Sequence, residues 1–400
     1  MRRATCLVSL AVPVPRAPPL VSYWCPSPDG HTPRERRANV AKLGVGFIGC
    51  GRILDLNIQG YLDRDDVQVA AFCDLEQETV DRRAEQYGKH GPARTYLDHH
   101  EMLADPAVDI VEVLTPHFLH HEMVIDSLEA GKHVSLQKPP AISIDEMDSM
   151  IRASERAGKK FKVFENFIFY PPYLKAKELF EAGEIGDPVG LRFKMNSSMA
   201  PMGWEVPLEA WAWRIVEDMC GGGPCMFDDG YHKWSVAIDL LGKVEKVFAW
   251  IGAKEIIPGV SVDSPAVVVW RYARDKDIFG VCDATISDEL HIDSKYYVID
   301  ERLELTGEKG VIWVTKWTAD MLKAPAVILY KDGKVTEYND MRQDWADSFI
   351  DCTHQFIDAI QNDTEPVLNG RTGREVLKFA LGMMRSAHEN REVYLSEFEV

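Results

Sequence analysis

From Leu43 onward the chain alternates short apolar runs with stretches of helical spacing. The runs Leu43 to Ile48, Val67 to Cys73, Val108 to Leu114, Val134 to Leu136 and Phe161 to Phe164 read as strands. Each is separated from the next by enough residues for a crossover helix, so the pattern predicts a parallel, doubly wound sheet. One intervening helix has a legible end: Asp145 to Ala157 closes at Gly158, where a left-handed residue is wanted. Past Tyr170-Pro171-Pro172 the rhythm changes. A helix from Tyr173 to Ala182 leads into Pro188 to Met195, then a Trp-rich polar segment and a helix from about Pro224 to Leu241. After it come the strand-like runs Val244 to Ile251, Ala266 to Tyr272, Phe279 to Ile286, Tyr296 to Ile299, Glu304 to Thr306, Val311 to Val314 and Ala326 to Tyr330. Strands without crossover helices between them predict an antiparallel sheet. Helical spacing returns over 342 to 361 and 371 to 388.

Composition divides the chain differently at its start. Residues 1–41 are expected to be a disordered leader or upstream extension, because the first forty hold seven of the 22 prolines and six Arg against one Asp and one Glu. An export signal is the alternative, but Pro13 and Pro15 break its only apolar stretch. The organisation expected beyond it is a dinucleotide-binding domain over 42–165, a substrate and oligomerisation domain over 166–370, and a C-terminal helix and tail over 371–400 packing back on the body. With 39 Lys plus Arg against 61 Asp plus Glu after residue 40, the body repels polyanions, which argues against nucleic acid and membrane surfaces as partners. No apolar run approaches the roughly 18 to 20 residues of a membrane span. Eight Cys without a C-x-x-C pair suit reduced thiols and a cytoplasmic location.

The first strand ends in Gly46-Phe47-Ile48-Gly49-Cys50-Gly51 and a helical run begins near Arg52 and Ile53. Gly49 permits a tight turn, Gly51 lets backbone approach a pyrophosphate, and the helix start offers free N–H groups. Leu54 occupies the third glycine position. Asp74 ends the second strand 25 residues after Gly49, where a carboxylate takes ribose hydroxyls and repels a 2′-phosphate, so NAD is favoured over NADP. A helix N-cap is the other reading of Asp74. Thr115, Pro116, His117 and His120 follow the fourth strand at the carboxyl edge and are expected to line the cofactor. No cysteine or acid at ligand spacing accompanies these histidines, so no metal is expected.

Gly49-x-Gly51, Asp74, Thr115-Pro116-His117-x-x-His120, Gln137-Lys138-Pro139 and Asp228-x-x-x-His232, in this order, resemble the glucose-fructose oxidoreductase, inositol dehydrogenase and rhizopine-catabolism (Gfo/Idh/MocA) family from about residue 42 onward. The resemblance implies a Rossmann domain followed by an α/β domain with a large open, mostly antiparallel sheet. It also implies a homo-oligomer, dimer or tetramer, and redox chemistry at a sugar or cyclitol hydroxyl. Gln137 and Lys138 stand at the family's Glu-Lys-Pro motif, and Asp228 with His232 at its acid and histidine pair. Gln137 replaces the usual glutamate, Asp229 adds a second carboxylate, Ser235 stands where an Asp often follows the histidine, and the Gly221-Gly222-Gly223 turn lies one residue farther from Asp228 than is common.

Hydride leaves an alcohol carbon only as its hydroxyl proton is removed, so a base titrating near neutrality must reach the oxygen, and His232 is the best candidate. Asp228, four residues earlier, is expected on the same helical face, orienting His232 or holding a substrate hydroxyl. Lys138 is placed to steady the developing charge on the reacting oxygen. Trp213 and Arg214, with Asn166, Tyr231 and Lys233, are candidate contacts to a carbohydrate ligand. Lys194, Arg214 and Lys233 raise the expectation of an anionic group on that sugar. Two alternatives stay open: a glycosidase using NAD for transient oxidation, commonly at C3, and a non-catalytic NAD sensor.

Overall fold

β1 (Leu43–Ile48) is buried along five of its six residues, as an apolar run between two covered faces must be. It is the centre of a sheet described, like everything below, by a computed structural model of residues 42–199, 203–204 and 208–399. The leader expected at 1–41 lies outside the described residues. From β1 the chain passes α1 (Leu54–Leu62), β2 (Val67–Cys73), α2 (Gln77–Tyr87), β3 (Arg94–Tyr96), α3 (His99–Leu103), β4 (Ile110–Val113), α4 (His120–Glu129), β5 (His133–Gln137), α5 (Ile144–Ala157) and β6 (Phe161–Phe164). The six strands are parallel in the order β3-β2-β1-β4-β5-β6, so the order reverses between β1 and β4, where ligands bind in such sheets. β3, a three-residue edge strand of Arg, Thr and Tyr, has no apolar run to announce it. α5 has both caps: Ser143 accepts from Glu146 N, and Gly158 adopts φ 62°.

Beyond α6 (Pro171–Glu181), the strand β7 (Pro188–Ser198) enters the second sheet, and the short helices α7 (Leu208–Trp211) and α8 (Glu217–Cys220) lead to α9 (Gly230–Leu241). Then come β8 (Val244–Ile251), the hairpin β9 (Lys254–Ile257) and β10 (Val260–Val262), β11 (Ala266–Tyr272), β12 (Phe279–Ser287), β13 (Ile299–Gly307), β14 (Gly310–Val314), β15 (Val327–Lys331) and β16 (Lys334–Tyr338). α10 (Trp345–Gln361), α11 (Gly370–Glu389) and β17 (Val393–Tyr394) follow. Nine strands pair in the order β16-β15-β14-β13-β7-β12-β11-β8-β17, all antiparallel except β7 with β12. The fold is thus a Rossmann-type parallel sheet plus a mixed, mostly antiparallel one.

The second sheet buries one face, with Val247, Ala249, Val268 and Trp270 fully covered. Its opposite face carries Trp250 directly across from Val267, at 61% and 36% exposure. α11 joins the two halves. Its Gly373 leaves no room for a side chain beside Val163 of β6, its Gly373 carbonyl accepts from Tyr231 of α9, and its Ser386 hydroxyl accepts from Ala249 N of β8. α10 meets α1 the same way: a Cβ at Gly60 would lie 2.5 Å from Thr353.

Candidate active site

The turn after β1 has the form a phosphate-binding loop needs. Gly49 sits at φ +90°, and a Cβ there would lie 2.9 Å from the Leu114 carbonyl, whereas a Cβ on Gly51 would meet nothing within 4 Å. Asp74 accepts from Cys50 N at 2.7 Å and from Leu75 N at 2.8 Å, tying the turn to the end of β2. Arg83, which sequence reading passed over, braces the turn from behind. Its guanidinium donates to the carbonyls of Cys50 at 3.0 Å and Gly51 at 2.7 Å, and to Asp55 at 2.6 Å. Ile53 is the N-cap of α1. Arg52 pairs with Asp55 and lies 4.5 Å over the Trp204 ring.

Across the switch point, Thr115 Oγ1 is buried with no hydrogen-bond partner, a polar atom waiting for a ligand. The His120 ring lies between the carbonyls of Thr115, 2.8 Å from Nε2, and Pro139, 3.0 Å from Nδ1. It therefore sits between the loop after β4, which starts at Leu114, and the loop after β5, where the one N–H of the neutral ring donates to either carbonyl. His117 hydrogen-bonds the Cys220 carbonyl through Nδ1 at 2.7 Å, with the Trp213 ring nearly perpendicular to it at 4.6 Å. Burial pushes His117 down to about 3 and His120 to about 4, the former in spite of Asp228, so both rings are neutral near pH 7. An open Gly51, an unpartnered Thr115 hydroxyl and a carboxylate at Asp74 together fit a dinucleotide.

Lys138 extends from the loop after β5 to Asp228, with Nζ 2.6 Å from Oδ1 and 3.0 Å from the main-chain oxygen. Arg214 holds the other carboxylate oxygen at 2.6 Å and lies over Trp213. Burial alone would raise Asp228. Lys138 and Arg214 outweigh it and hold the acid well below the usual carboxylate range. Gln137 accepts from Lys138 N at 2.9 Å.

The expected pairing of Asp228 with His232 is corrected. Residues Pro224–Asp229 form a π-helical turn before α9 begins at Gly230, so the α-helical face assumed for the two residues does not run through Asp228. His232 instead meets Glu165, just past β6, at 2.7 and 3.0 Å from Nδ1. Glu165 is fully buried and also accepts from Phe167 N and Ser235. The Phe167 ring stacks on His232 at 4.0 Å. Burial lowers His232 more than Glu165 raises it, so the ring is neutral, with the Nδ1 proton facing Glu165 and Nε2 left as an acceptor. Ser235 therefore supports Glu165, and the acid sought four residues before the histidine comes from the loop after β6. Its signal was present as a lone acid in the apolar run Phe161 to Phe169.

Three expected substrate contacts are engaged outside this cluster. Tyr231 is fully buried with its hydroxyl on Gly373, and Asn166 donates its amide to Ser348 at 2.8 Å. Lys233 is buried between Asp229 and Glu301. The argument for an anionic substrate fails with it, because Lys194 pairs with Asp283 and Arg214 with Asp228. None of the three cations is left without a carboxylate. Away from this site Asp98, His99 and His100 gather ligand-type atoms, but Asp98 accepts from His100 N and His99 meets Asp126 at 2.8 Å.

A family model described as an oxidoreductase family with an NAD-binding Rossmann fold, Gfo/Idh/MocA, matches residues 43–165, and the Gfo/Idh/MocA C-terminal domain matches 173–313. The chain belongs to this family. Within the Gfo/Idh/MocA proteins it is 29% identical over 363 residues to myo-inositol 2-dehydrogenase of Thermotoga maritima, covering 89% of this chain and 99% of that one. A probable dehydrogenase from the same organism superposes with a TM-score of 0.69 at 28% identity, over 89% of this chain and 100% of the other. Levoglucosan dehydrogenase, solved with NADH and levoglucosan, gives 0.74 at 20% identity over 88% and 99%, a likeness of fold alone. NAD is the cofactor of this Gfo/Idh/MocA oxidoreductase. Among the described residues no helix is long and apolar enough to cross a membrane.

Proposed function

We propose that this oxidoreductase transfers hydride between NAD and a hydroxyl-bearing carbon of a neutral sugar, cyclitol or glycoside. The observation that carries the reading is the convergence of two preorganised groups beside the nucleotide turn: the Lys138–Asp228–Arg214 ion pairs and the neutral His232 held by Glu165. Gly49, Gly51, Arg52, Ile53, Asp74, Thr115, Pro116, His117 and Gln137 surround the nucleotide, while His120 keeps two of its loops together. When bound, NAD supplies the hydride acceptor or donor. His232 Nε2 takes the hydroxyl proton during oxidation, with Glu165 fixing the tautomer and steadying the charge that develops on the ring. Lys138 donates a hydrogen bond to the reacting oxygen, and Asp228, clamped by Arg214, aims the ammonium.

Substrate class is read from the polar lining: Lys194 and Lys233 have carboxylates of their own, Lys138 and Arg214 share Asp228, and the site offers hydrogen bonds and the Trp213 face. The similarity to a cyclitol dehydrogenase supports this reading. Its test is purified protein with NAD and a panel of inositols, neutral and anionic sugars, and chromogenic glycosides. The expected result is NADH absorbance that tracks turnover of a neutral polyol. Aglycone release without net NADH would assign the transient-oxidation glycosidase instead, and silence on the whole panel, with NAD bound and His232→Ala behaving as wild type, would leave the sensor.

A further inference from the structure

Beneath Lys138 lies a line of buried polar groups that the reaction does not use. Gln137 Nε2 donates to Asn57 Oδ1 at 3.4 Å, and Asn57 Nδ2 donates to Glu112 Oε1 at 3.0 Å. Tyr61 donates its hydroxyl to Glu112 Oε2 at 2.6 Å. Asn57, Tyr61 and Glu112 are buried. Asn57 and Tyr61 belong to α1, the helix that starts beside the glycine turn, while Glu112 lies on β4 and Gln137 ends β5. The line therefore connects the nucleotide-binding helix to the loop of the reacting lysine, through two sheet strands.

The line has a direction. Glu112 accepts at both oxygens, which obliges Asn57 to turn its NH2 toward β4 and its carbonyl oxygen toward residue 137. A group at 137 must then donate to Asn57 while accepting from Lys138 N. A glutamine does both. A glutamate offers only acceptors, and would set oxygen against the oxygen of the buried Asn57. The departure from the family's glutamate is thereby matched to the orientation of one amide.

We propose that Gln137, Asn57, Glu112 and Tyr61 form a one-way hydrogen-bond chain that registers the Lys138 loop against the nucleotide helix, and that its direction dictates glutamine at 137. These are positioning residues, and the effect on turnover rests on the reaction assigned to Lys138 above. Reversing the chain is the test. In Gln137→Glu the unmet acceptors are expected to lower kcat at least about tenfold, the scale of one lost buried hydrogen bond, with little change in KM. Adding Glu112→Gln lets residue 112 donate to Asn57 Oδ1, so the amide turns over and gives its NH2 to the new glutamate. The double variant is expected to recover kcat to within about threefold of wild type, whereas independent defects multiply.

NADH affinity by fluorescence and thermal melting, measured on the same four proteins, read the coupling without turnover. Gln137→Met, which removes the amide without adding charge, replaces Gln137→Glu should that single variant not fold, and is expected to lose kcat similarly. A double variant no better than the product of its singles in kcat, affinity and melting overturns the chain. Wild-type turnover by Lys138→Ala overturns the reaction reading instead, and leaves the affinity and melting cycle to judge the chain.

Discussion

Glu165 shows what a single buried carboxylate does for a base. It accepts from His232, Ser235 and Phe167 N, so its orientation is fixed before substrate arrives. Glu165→Gln keeps the shape but removes the charge that stabilises a protonated ring, and kcat is expected to fall about 10- to 100-fold with KM nearly unchanged, checked by steady-state NADH formation. Because burial lowers His232, its base form survives below the ordinary histidine range. Oxidation by wild type should therefore hold its kcat/KM from pH 8 down past 6.5 and lose it only in more acid solution; a midpoint above 6.5 would contradict that assignment. Individual residues were legible unevenly in the sequence. Lys138, Asp228 and His232 lie within motifs, and they do converge, but Glu165 has no fixed spacing to His232, since the two meet only when β6 and α9 pack. Tyr231 and Lys233 were misread for the complementary reason. A side chain one position from a histidine on a helix points elsewhere, and here it points into the core.

At the scale of elements, the π-helical turn is the device that takes Asp228 out of the α-helical register of His232. Asp263 organises its start by accepting from Cys225 N at 2.8 Å and Met226 N at 2.6 Å, while Gly223 packs so closely that a Cβ would lie 2.1 Å from the Asp263 carboxyl carbon. Asp263→Ala is expected to cost about 1–2 kcal/mol, as loss of a helix cap does, read as a lower urea midpoint. Gly223→Ala should do more, displacing Asp263 and weakening the Lys138–Asp228 contact, so that its activity falls by a larger factor than its stability explains. The parallel sheet was legible because continuous apolar runs separated by helix-length spacers leave little else. β13 was read as two runs, Tyr296 to Ile299 and Glu304 to Thr306, because Asp300, Glu301 and Arg302 interrupt it. Glu301 pairs with the buried Lys233, and Asp300 with Arg302, so the interruption is a set of satisfied charges inside a continuous strand.

For the molecule as a whole, buried neutral histidines set the acid limit. His117, His120 and His133 are pushed by burial to about 3, 4 and 4. Below about 6.5 the unfolded chain takes up protons there that the native state refuses, so stability falls as pH drops through that range toward the folded values. A urea midpoint that fails to fall between pH 7.5 and 5 would count against the neutral assignment. The open sheet face makes a separate prediction. Trp250 stacks edge-on with Phe248 at 4.7 Å and sits across from Val267, an apolar surface that suits a second copy of the chain. We expect light scattering to show a homo-oligomer that Trp250→Glu dissociates.

The placement of α11 bears on how the protein is made. Synthesis runs from the amino end, yet the helix that fills space beside β6, α9 and β8 spans Gly370–Glu389. The ribosome has released the strands of both sheets up to β16 before either sheet acquires the covering that α11 provides, so neither half can mature while the other is still being translated. Nascent chains halted near residue 365 should remain protease-sensitive in both halves and turn resistant together once α11 emerges.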